Sequence, residues 1–328
     1  MFVNIDDTFY IQKEINQKKL QKCVSFVSNQ KNIDSLVIEK AYKKNILKII
    51  ALPHGIKEKD VDIVIKTKFN KDYKFINLKN TQILCELTHK INFTLNKINH
   101  FQLNKIKFFP ATYISRKIVY QKLAKGNCYR PNDLSEFNSS LLKNLAHVVN
   151  NLSPRNKSQI KISSYLNDNK FKKKDDDLNF KIINIFILML KKYRSKSITL
   201  SLTHGDFKFE HLFLLKDKLE YVIDWDTVGI RSIFFDVMNF FIPWFTKRSY
   251  NYFQIKEYIL KFIDDYVPNL QNEIKNKYNI YFSIYALERY KRIHDCRTAE
   301  FDVNMAYKRY NSLFKNITME AHSEYQGI

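Results

Sequence analysis

The sequence predicts an α+β protein in which a small antiparallel-sheet lobe precedes a larger helical lobe. Three observations carry this expectation. Val- and Ile-rich runs alternating with Lys crowd the first third of the chain, and from about residue 132 the apolar residues recur at three- and four-residue steps. A connection with one glycine, Lys125-Gly126, lies near the change of period. Sheet first and helices afterwards, with few Gly or Pro between, is the pattern of an α+β fold.

Composition sets the outer bounds. At 328 residues and 39.4 kDa there is room for one large domain or two lobes around a cleft, and 45% hydrophobic and 15% aromatic residues supply a sizeable core. That composition excludes a disordered chain, and five glycines and six prolines exclude collagen-like or linker sequence. The formal charge is +22 and the lysines are spread over the whole chain, which AT-rich coding also produces. Such a field attracts anions, so an anionic acceptor or peripheral contact with an anionic membrane surface fits it. Nucleic acid is not the expected partner, because the charge forms no stripe and no RNA-binding motif occurs. Cys23, Cys85, Cys128 and Cys296 lie far apart without metal spacing, as in a reducing compartment. The acidic start and the short apolar runs 182–190 and 234–245 point to a cytoplasmic protein.

The elements follow in order. Residues 1–30 read as an N-terminal extension. Ser35–Tyr42, Ile46–Leu52 and Val61–Phe69 have strand character, with a turn at Pro53-His54-Gly55. Leu84, Leu87, Ile91, Leu95 and Ile98 form one apolar stripe of a helix. Phe108–Ser115 and Lys117–Leu123 are two further strands. Asn132 or Asp133 caps a helix that buries Leu134, Phe137, Leu141, Leu145, Val148 and Leu152 and stops before Pro154. A charged loop, 167–177, precedes a second helix over Phe180–Tyr193, and the chain beyond Phe234 is aromatic-rich and helical. The expected division is 1–30 extension, 31–120 sheet lobe, 121–126 connection and 127–328 helical lobe.

The chemistry concentrates in Thr203–Asp236. Asp206 lies in a loop, Phe213–Ile223 reads as a hairpin about Lys216-Asp217-Lys218, and Asp224 follows the hairpin. A hairpin returns the chain to where it began, so the two carboxylates should face one cleft with Lys208 between them. One acid taking a hydroxyl proton, one holding a divalent cation and a lysine neutralising a moving phosphate suit phosphoryl transfer. Aspartates in turns are common, and His-Gly-Asp by itself says little; the combination is what points to this chemistry.

His204-Gly205-Asp206-Phe207-Lys208-Phe209-Glu210-His211 resembles the catalytic loop of the protein-kinase-like fold in its aminoglycoside phosphotransferase and choline kinase form. Ile223-Asp224-Trp225-Asp226 is similar to that family's metal-binding segment. The resemblance implies a two-lobed fold, ATP with Mg²⁺ or Mn²⁺ as cofactors, and a small-molecule or glycan hydroxyl as acceptor. It implies Asp206 as catalytic base, His204 as prop of the loop, Lys208 against the γ-phosphate, Asp224 as metal ligand and Asp236 as a brace. Lys66 is the strand lysine it calls for, with Lys68 as rival, and Glu86 is the partner expected on the following helix. Residues 121–126, including Gln121 and Leu123, fall where the hinge passes the adenine.

Two departures stand out. No Gly-rich loop occurs, so residues 40–45 would have to cover the phosphates. His211 occupies the usual place of an Asn metal ligand, and imidazole is a poor Mg²⁺ ligand. Either one metal suffices, or Mn²⁺ is used, or Glu210 takes part, or the chain is an inactive nucleotide-binding scaffold (a pseudokinase). Only 11 residues separate Asp224 from Asp236, too few for the peptide-docking segment of a protein kinase. For the acceptor, the C-terminal helices offer Phe240, Phe241, Trp244, Phe245, Tyr250, Tyr252 and Phe282, most of them expected in the core. They also offer Arg231, Arg289, Arg292 and Arg297. An arginine-lined site favours an anionic sugar or glycan. The alternative, a choline or ethanolamine kinase, needs an acidic pocket from Asp264, Asp265, Glu288 or Asp295.

Overall fold

The structure, a computed structural model, describes residues 1–6, 8–31, 34–44, 46–48, 50, 52, 56–66, 73–80, 82–86, 89–115, 118–123, 127–128, 131, 137–169, 178–295, 308, 310–311 and 313–314. The chain divides into two compact units. One comprises Met1–Arg130 with Glu210–Ile223, and the other Pro131–Phe209 with Asp224–Ile328.

The first unit is built on an antiparallel sheet. Its elements are β1 (Phe2–Asn4), β2 (Phe9–Gln12), α1 (Gln17–Lys31), α2 (Ser35–Lys43), β3 (Leu47–Lys48), β4 (Ile63–Lys66), β5 (Tyr73–Asn77), β6 (Gln82–Glu86), α3 (His89–His100), β7 (Thr112–Ser115), β8 (Ile118–Lys122) and β9 (Asn127–Cys128). Eight strands pair in the order β3-β1-β2-β4-β5-β6-β8-β7. Period-two alternation buries both faces of the sheet. Ile11, Ile63 and Ile76 meet Cys23, Val24 and Val27 of α1 and Ile38 of α2 on one side. Phe2, Tyr10, Val64, Phe75, Leu84 and Ile118 gather with Ile50 and Ile56 on the other.

Several elements differ from the sequence expectation. Residues 1–30 are no extension: β1 and β2 lie inside the sheet, and they escape a periodicity reading because they are only three and four residues long. Ser35–Lys43 is a helix, not a strand. The Asp34 side chain accepts the Leu36 N–H at its N-terminus, and Ile38 is its buried residue while Leu36 and Val37 stand in solvent. The loop proposed to cover phosphates, 40–45, is therefore largely the last turn of α2. Glu86 ends strand β6, in register with Ile118, rather than lying on a helix. Leu84 lies on strand β6 and Ile91 on α3, which begins only at His89, while Leu87 lies outside the described residues. Lys68, Pro53-His54-Gly55, Asn132, Asp133 and Leu134 lie outside the described residues. The cap of the next helix is Asn138, which accepts the Leu141 N–H.

The second unit contains α4 (Ser139–Leu152), β10 (Ser158–Lys161), α5 (Ile162–Asp168), α6 (Leu178–Lys191) and β11 (Ser197–Thr203). The chain then contributes the hairpin β12 (Leu212–Leu215) and β13 (Lys218–Val222) to the first unit, where β12 also pairs with β9. Lys216 and Asp217 both take positive φ, 50° and 61°, as a tight two-residue hairpin requires. The second unit resumes with β14 (Gly229–Ser232), α7 (Phe235–Thr246), α8 (Tyr252–Tyr266), α9 (Gln271–Ile274) and α10 (Tyr278–Asp295). Strands β10, β11 and β14 form its small antiparallel sheet. Ten of the twelve residues of α7 are buried, which explains its apolar sequence. Phe137, Phe209, Phe241, Trp244 and Phe245 interlock around it at ring distances of 4.5–6.4 Å. Among the described residues no helix is long and apolar enough to cross a membrane.

Deleting residues 1–12 should abolish cooperative unfolding of the sheet unit. The deletion removes Phe2, Val3, Phe9, Tyr10 and Ile11, all buried, at about 1.5–3 kcal/mol for each large apolar side chain. Thermal denaturation followed by circular dichroism checks this. A truncated chain with an unchanged melting transition would show that β1 and β2 are dispensable.

Candidate active site

The site grows from the register of two short strands. Strand β11 runs antiparallel to β14 with Thr203 opposite Gly229 and Leu200 opposite Ser232. The loop that leaves β11 and the turn that enters β14 therefore emerge at the same end of the same sheet. Asp206 lies three residues after the last β11 residue and Asp224 five before the first of β14. Their carboxylate oxygens come within 4.8 Å of each other.

The loop after β11 is held by groups on both sides. Asp236, in the first turn of α7, accepts the N–H groups of His204 (2.6 Å) and Gly205 (2.9 Å). Gly205 adopts φ +85°, and a Cβ there would lie 2.4 Å from the Thr227 carbonyl and 2.6 Å from an Arg231 nitrogen. Only glycine meets both conditions. The buried His204 ring accepts the Asp206 N–H at Nδ1 (3.3 Å) and packs edge-on against Trp225, with centroids 4.6 Å apart. Accepting at Nδ1 leaves the ring proton on Nε2. Thr227 Oγ1 donates to the His204 carbonyl (3.1 Å), and Asn239 Nδ2 to the Phe207 carbonyl (2.9 Å). Phe207 and Phe209 anchor the loop on Phe240, at 5.3 and 4.0 Å.

Cations surround the carboxylate at its centre. Lys208 Nζ is 3.2 Å from Asp206 Oδ2, and Arg292 Nη1 is 3.2 Å from Oδ1 while also donating to the Gly205 carbonyl at 2.8 Å. Arg231 donates to Thr203 Oγ1 (2.9 Å) and to the Thr227 carbonyl (2.8 Å), and its guanidinium lies 5.1 Å over the Phe235 ring. Glu288 of α10 accepts from the Ser232 N–H and hydroxyl, both at 3.0 Å. Burial pushes Asp236 up to about 6, against the pull of the two amides and of Arg231. Burial likewise pushes Glu288 up to about 7. Asp224 is exposed and adopts a left-handed conformation, φ 64° and ψ 57°.

The structure thus brings Asp206, Asp224, His204 and Lys208 into one place. The remaining expected residues stand in the sheet unit. Lys66 ends β4, paired with Tyr73, and Gln121 on β8 donates to Thr112 Oγ1 at 3.3 Å. Leu123 follows β8 and is buried in the apolar cluster with Phe9 and Ile11. His211 is buried at the start of the hairpin, its carbonyl accepting the Ile223 N–H at 3.0 Å, and Glu210 is exposed. The aromatic residues Phe240, Phe241, Trp244, Phe245, Tyr252 and Phe282 are core, so their faces are not available for stacking on a ligand. Asn239 and Thr227 went unnoticed in the sequence. Asn239 had a signal, as a polar residue one turn after Asp236 in an otherwise apolar helix. Of the acids that a choline site would need, Glu288 is committed to Ser232 and Asp264 and Asp265 are exposed on α8.

The pH dependence of stability follows from Glu288. Its folded value, about 7, lies above its ordinary 4.5, so its contribution is present at low pH and lost as pH rises through that interval. In urea titrations between pH 5 and 8, Glu288→Gln should flatten the decline that the native chain shows. Identical slopes for both proteins would mean that Glu288 does not titrate there.

Residues 140–266, which contain the whole loop, both carboxylates and α7, match the phosphotransferase enzyme family, APH. No curated protein matches the chain. Among solved structures it is similar to choline kinase LicA from Streptococcus pneumoniae, at 11% identity and TM-score 0.51, covering 77% of this chain and 91% of that one. The amicoumacin kinase hAmiN, in complex with AMP-PNP, Ca²⁺ and Ami, aligns at 14% identity and TM-score 0.49, covering 90% and 96%. Aminoglycoside phosphotransferase APH(4)-Ia, in a ternary complex with AMP-PNP and hygromycin B, aligns at 13% identity and TM-score 0.49, covering 77% and 93%. The chain has the protein-kinase-like fold, and its residues 140–266 match the model of the APH phosphotransferase family.

Proposed function

We propose that the chain transfers the γ-phosphoryl group of ATP to a hydroxyl of a small molecule or cell-envelope glycan. The observation that carries this reading is the approach of Asp206 and Asp224 within 4.8 Å, at the end of a strand pair whose loop amides are clamped by Asp236. Asp206 accepts the proton of the acceptor hydroxyl while the acceptor oxygen bonds to the γ-phosphorus. The bond from that phosphorus to the β–γ bridging oxygen breaks, and ADP leaves. Lys208, 3.2 Å from Asp206, is proposed to turn toward the phosphoryl oxygens. Two carboxylates this close are suitable hard-oxygen ligands for a divalent cation. When bound, that cation neutralises the nucleotide's phosphate oxygens. His211, five residues after Asp206, is proposed as an added nitrogen donor; its chemistry suits Mn²⁺ better than Mg²⁺. Lys66, Glu86, Gln121 and Leu123 of the sheet unit are proposed nucleotide contacts, and the scattered cysteines support a cytoplasmic setting.

Charge favours an anionic acceptor over choline or ethanolamine. A hydroxyl approaching Asp206 meets Lys208 and Arg292, whereas a quaternary ammonium would be repelled by both.

Two variants test the assignment. With γ-labelled ATP, Mg²⁺ or Mn²⁺, and a panel of sugars, sugar phosphates, choline and envelope extract, Asp206→Ala should lower transfer at least ~10²-fold while retaining nucleotide binding. Unchanged transfer would remove Asp206 from the chemistry. Asp224→Ala should erase the metal dependence of nucleotide affinity in calorimetric titrations; equal affinities would refute its role. Nucleotide binding by the native chain without transfer to any acceptor would favour the inactive scaffold.

A further inference from the structure

The β11–β14 ladder ends at Thr203 opposite Gly229, short of both carboxylates. Asp206 and Asp224 lie beyond it on two separate loop segments, which the β12–β13 hairpin joins only at their far ends, at Ile223 and His211. Arg231 spans that gap. Its Nη1 donates to the Thr203 hydroxyl, three residues before Asp206, and its Nη2 to the Thr227 carbonyl, three residues after Asp224. We infer that Arg231 is a positioning residue whose two-pronged guanidinium sets the spacing of Asp206 and Asp224. The inference rests on the metal-holding role proposed above for those two residues.

The surroundings are shaped for this fork. The missing Cβ of Gly205 is the space the guanidinium occupies, since a Cβ there would stand 2.6 Å from Nη1 and 3.0 Å from Cζ. Phe235 supports the guanidinium from beneath. Glu288 and Asp236 face it with negative charge, and Glu288 is itself secured to Ser232, the next residue of β14. Thr203 passes the connection on, because its hydroxyl donates to the Gly229 carbonyl at 3.0 Å while accepting from Arg231. Thr227 does the same on the other side through its hydroxyl bond to the His204 carbonyl. A planar guanidinium reaches two acceptors in fixed directions at once, whereas a lysine in the same space is a single point charge and reaches one. The arrangement therefore depends on shape as well as charge.

The decisive experiment uses the full chain and Mn²⁺ as probe. Mn²⁺ affinity in the presence of AMP-PNP is read by electron paramagnetic resonance, beside metal-free AMP-PNP affinity and the melting temperature. Arg231→Lys keeps the charge and removes the fork. Thr203→Val keeps the shape and removes one prong. The double variant Arg231→Met, Glu288→Gln removes the fork together with its counter-charge, so that folding is retained. In Arg231→Lys and the double variant, Mn²⁺ affinity should fall at least ~10-fold, with a smaller fall in Thr203→Val, while metal-free AMP-PNP affinity stays within about twofold. Native Mn²⁺ affinity in Arg231→Lys, or in a folded double variant, overturns the inference. So does a parallel loss of metal-free nucleotide affinity and melting temperature, the mark of a merely structural residue. Asp224→Ala is the control. If it loses Mn²⁺ and the Arg231 variants do not, the clamp alone is wrong; if it too binds Mn²⁺ like the native chain, the metal assignment falls as well.

Discussion

Two consecutive backbone amides, those of His204 and Gly205, donate to the single carboxylate of Asp236, and the form of the loop that follows depends on that pairing. A buried carboxylate is costly to ionise, which is why Asp236 sits near 6 despite its partners. The partners are also what make its burial tolerable: two amide donors and the positive end of α7 all oppose the same charge. With both amides aimed inward, the chain turns sharply at Gly205, and Asp206 leaves the turn away from the core. The side chain of Asp206 meets Lys208, Arg292 and the neighbourhood of Asp224.

The bracing carboxylate is in turn placed by apolar packing. Helix α7 is enclosed almost completely, so its polar residues cannot reach solvent and must find partners inside. Asp236 and Asn239, one turn apart, find them in the backbone of residues 204–207. Phe207 and Phe209 are the reciprocal side of this arrangement, inserting aromatic rings from the loop against Phe240 of the same helix. Loop and helix thus exchange hydrogen bonds in both directions, with apolar contacts beside them. Strong coupling of this kind holds the side chains of the loop within narrow tolerances, as the proposed phosphoryl transfer would demand.

Legibility in the sequence was uneven, and the differences have physical causes. The gathering of His204 to Lys208, Asp224 and Asp236 in one place was legible because they stand at short fixed spacing in turns. The hairpin over 212–222 was legible for the same reason, as alternating residues around a tight turn. The sheet unit was harder. Ser35–Lys43 carries Val and Ile side by side, which suggests a strand, yet the Asp34 cap and one buried Ile suffice for a surface helix. Strands β1 and β2 are too short for a period to show. The position of Glu86 on a strand was not legible, because Leu84 of β6 and Ile91 of α3 stand at a spacing that a continuous helix also gives.

By itself, the sequence determined the side chains proposed to react and the local turns that present them. It also determined the amphipathic and wholly apolar stretches that had to be covered. Those are local properties, set by side-chain chemistry and by periods of two or 3.6 residues. Tertiary structure decided what depends on segments far apart in the chain. The β11–β14 register brings Asp206 and Asp224 to one end of a sheet, α7 delivers Asp236 to two amides, and α10 delivers Arg292 and Glu288. It also removed the aromatic residues of α7 from any ligand-facing role by burying them. Contacts of that kind are chosen by competition among many possible packings, and no short window of sequence contains enough of the partners to settle which one wins.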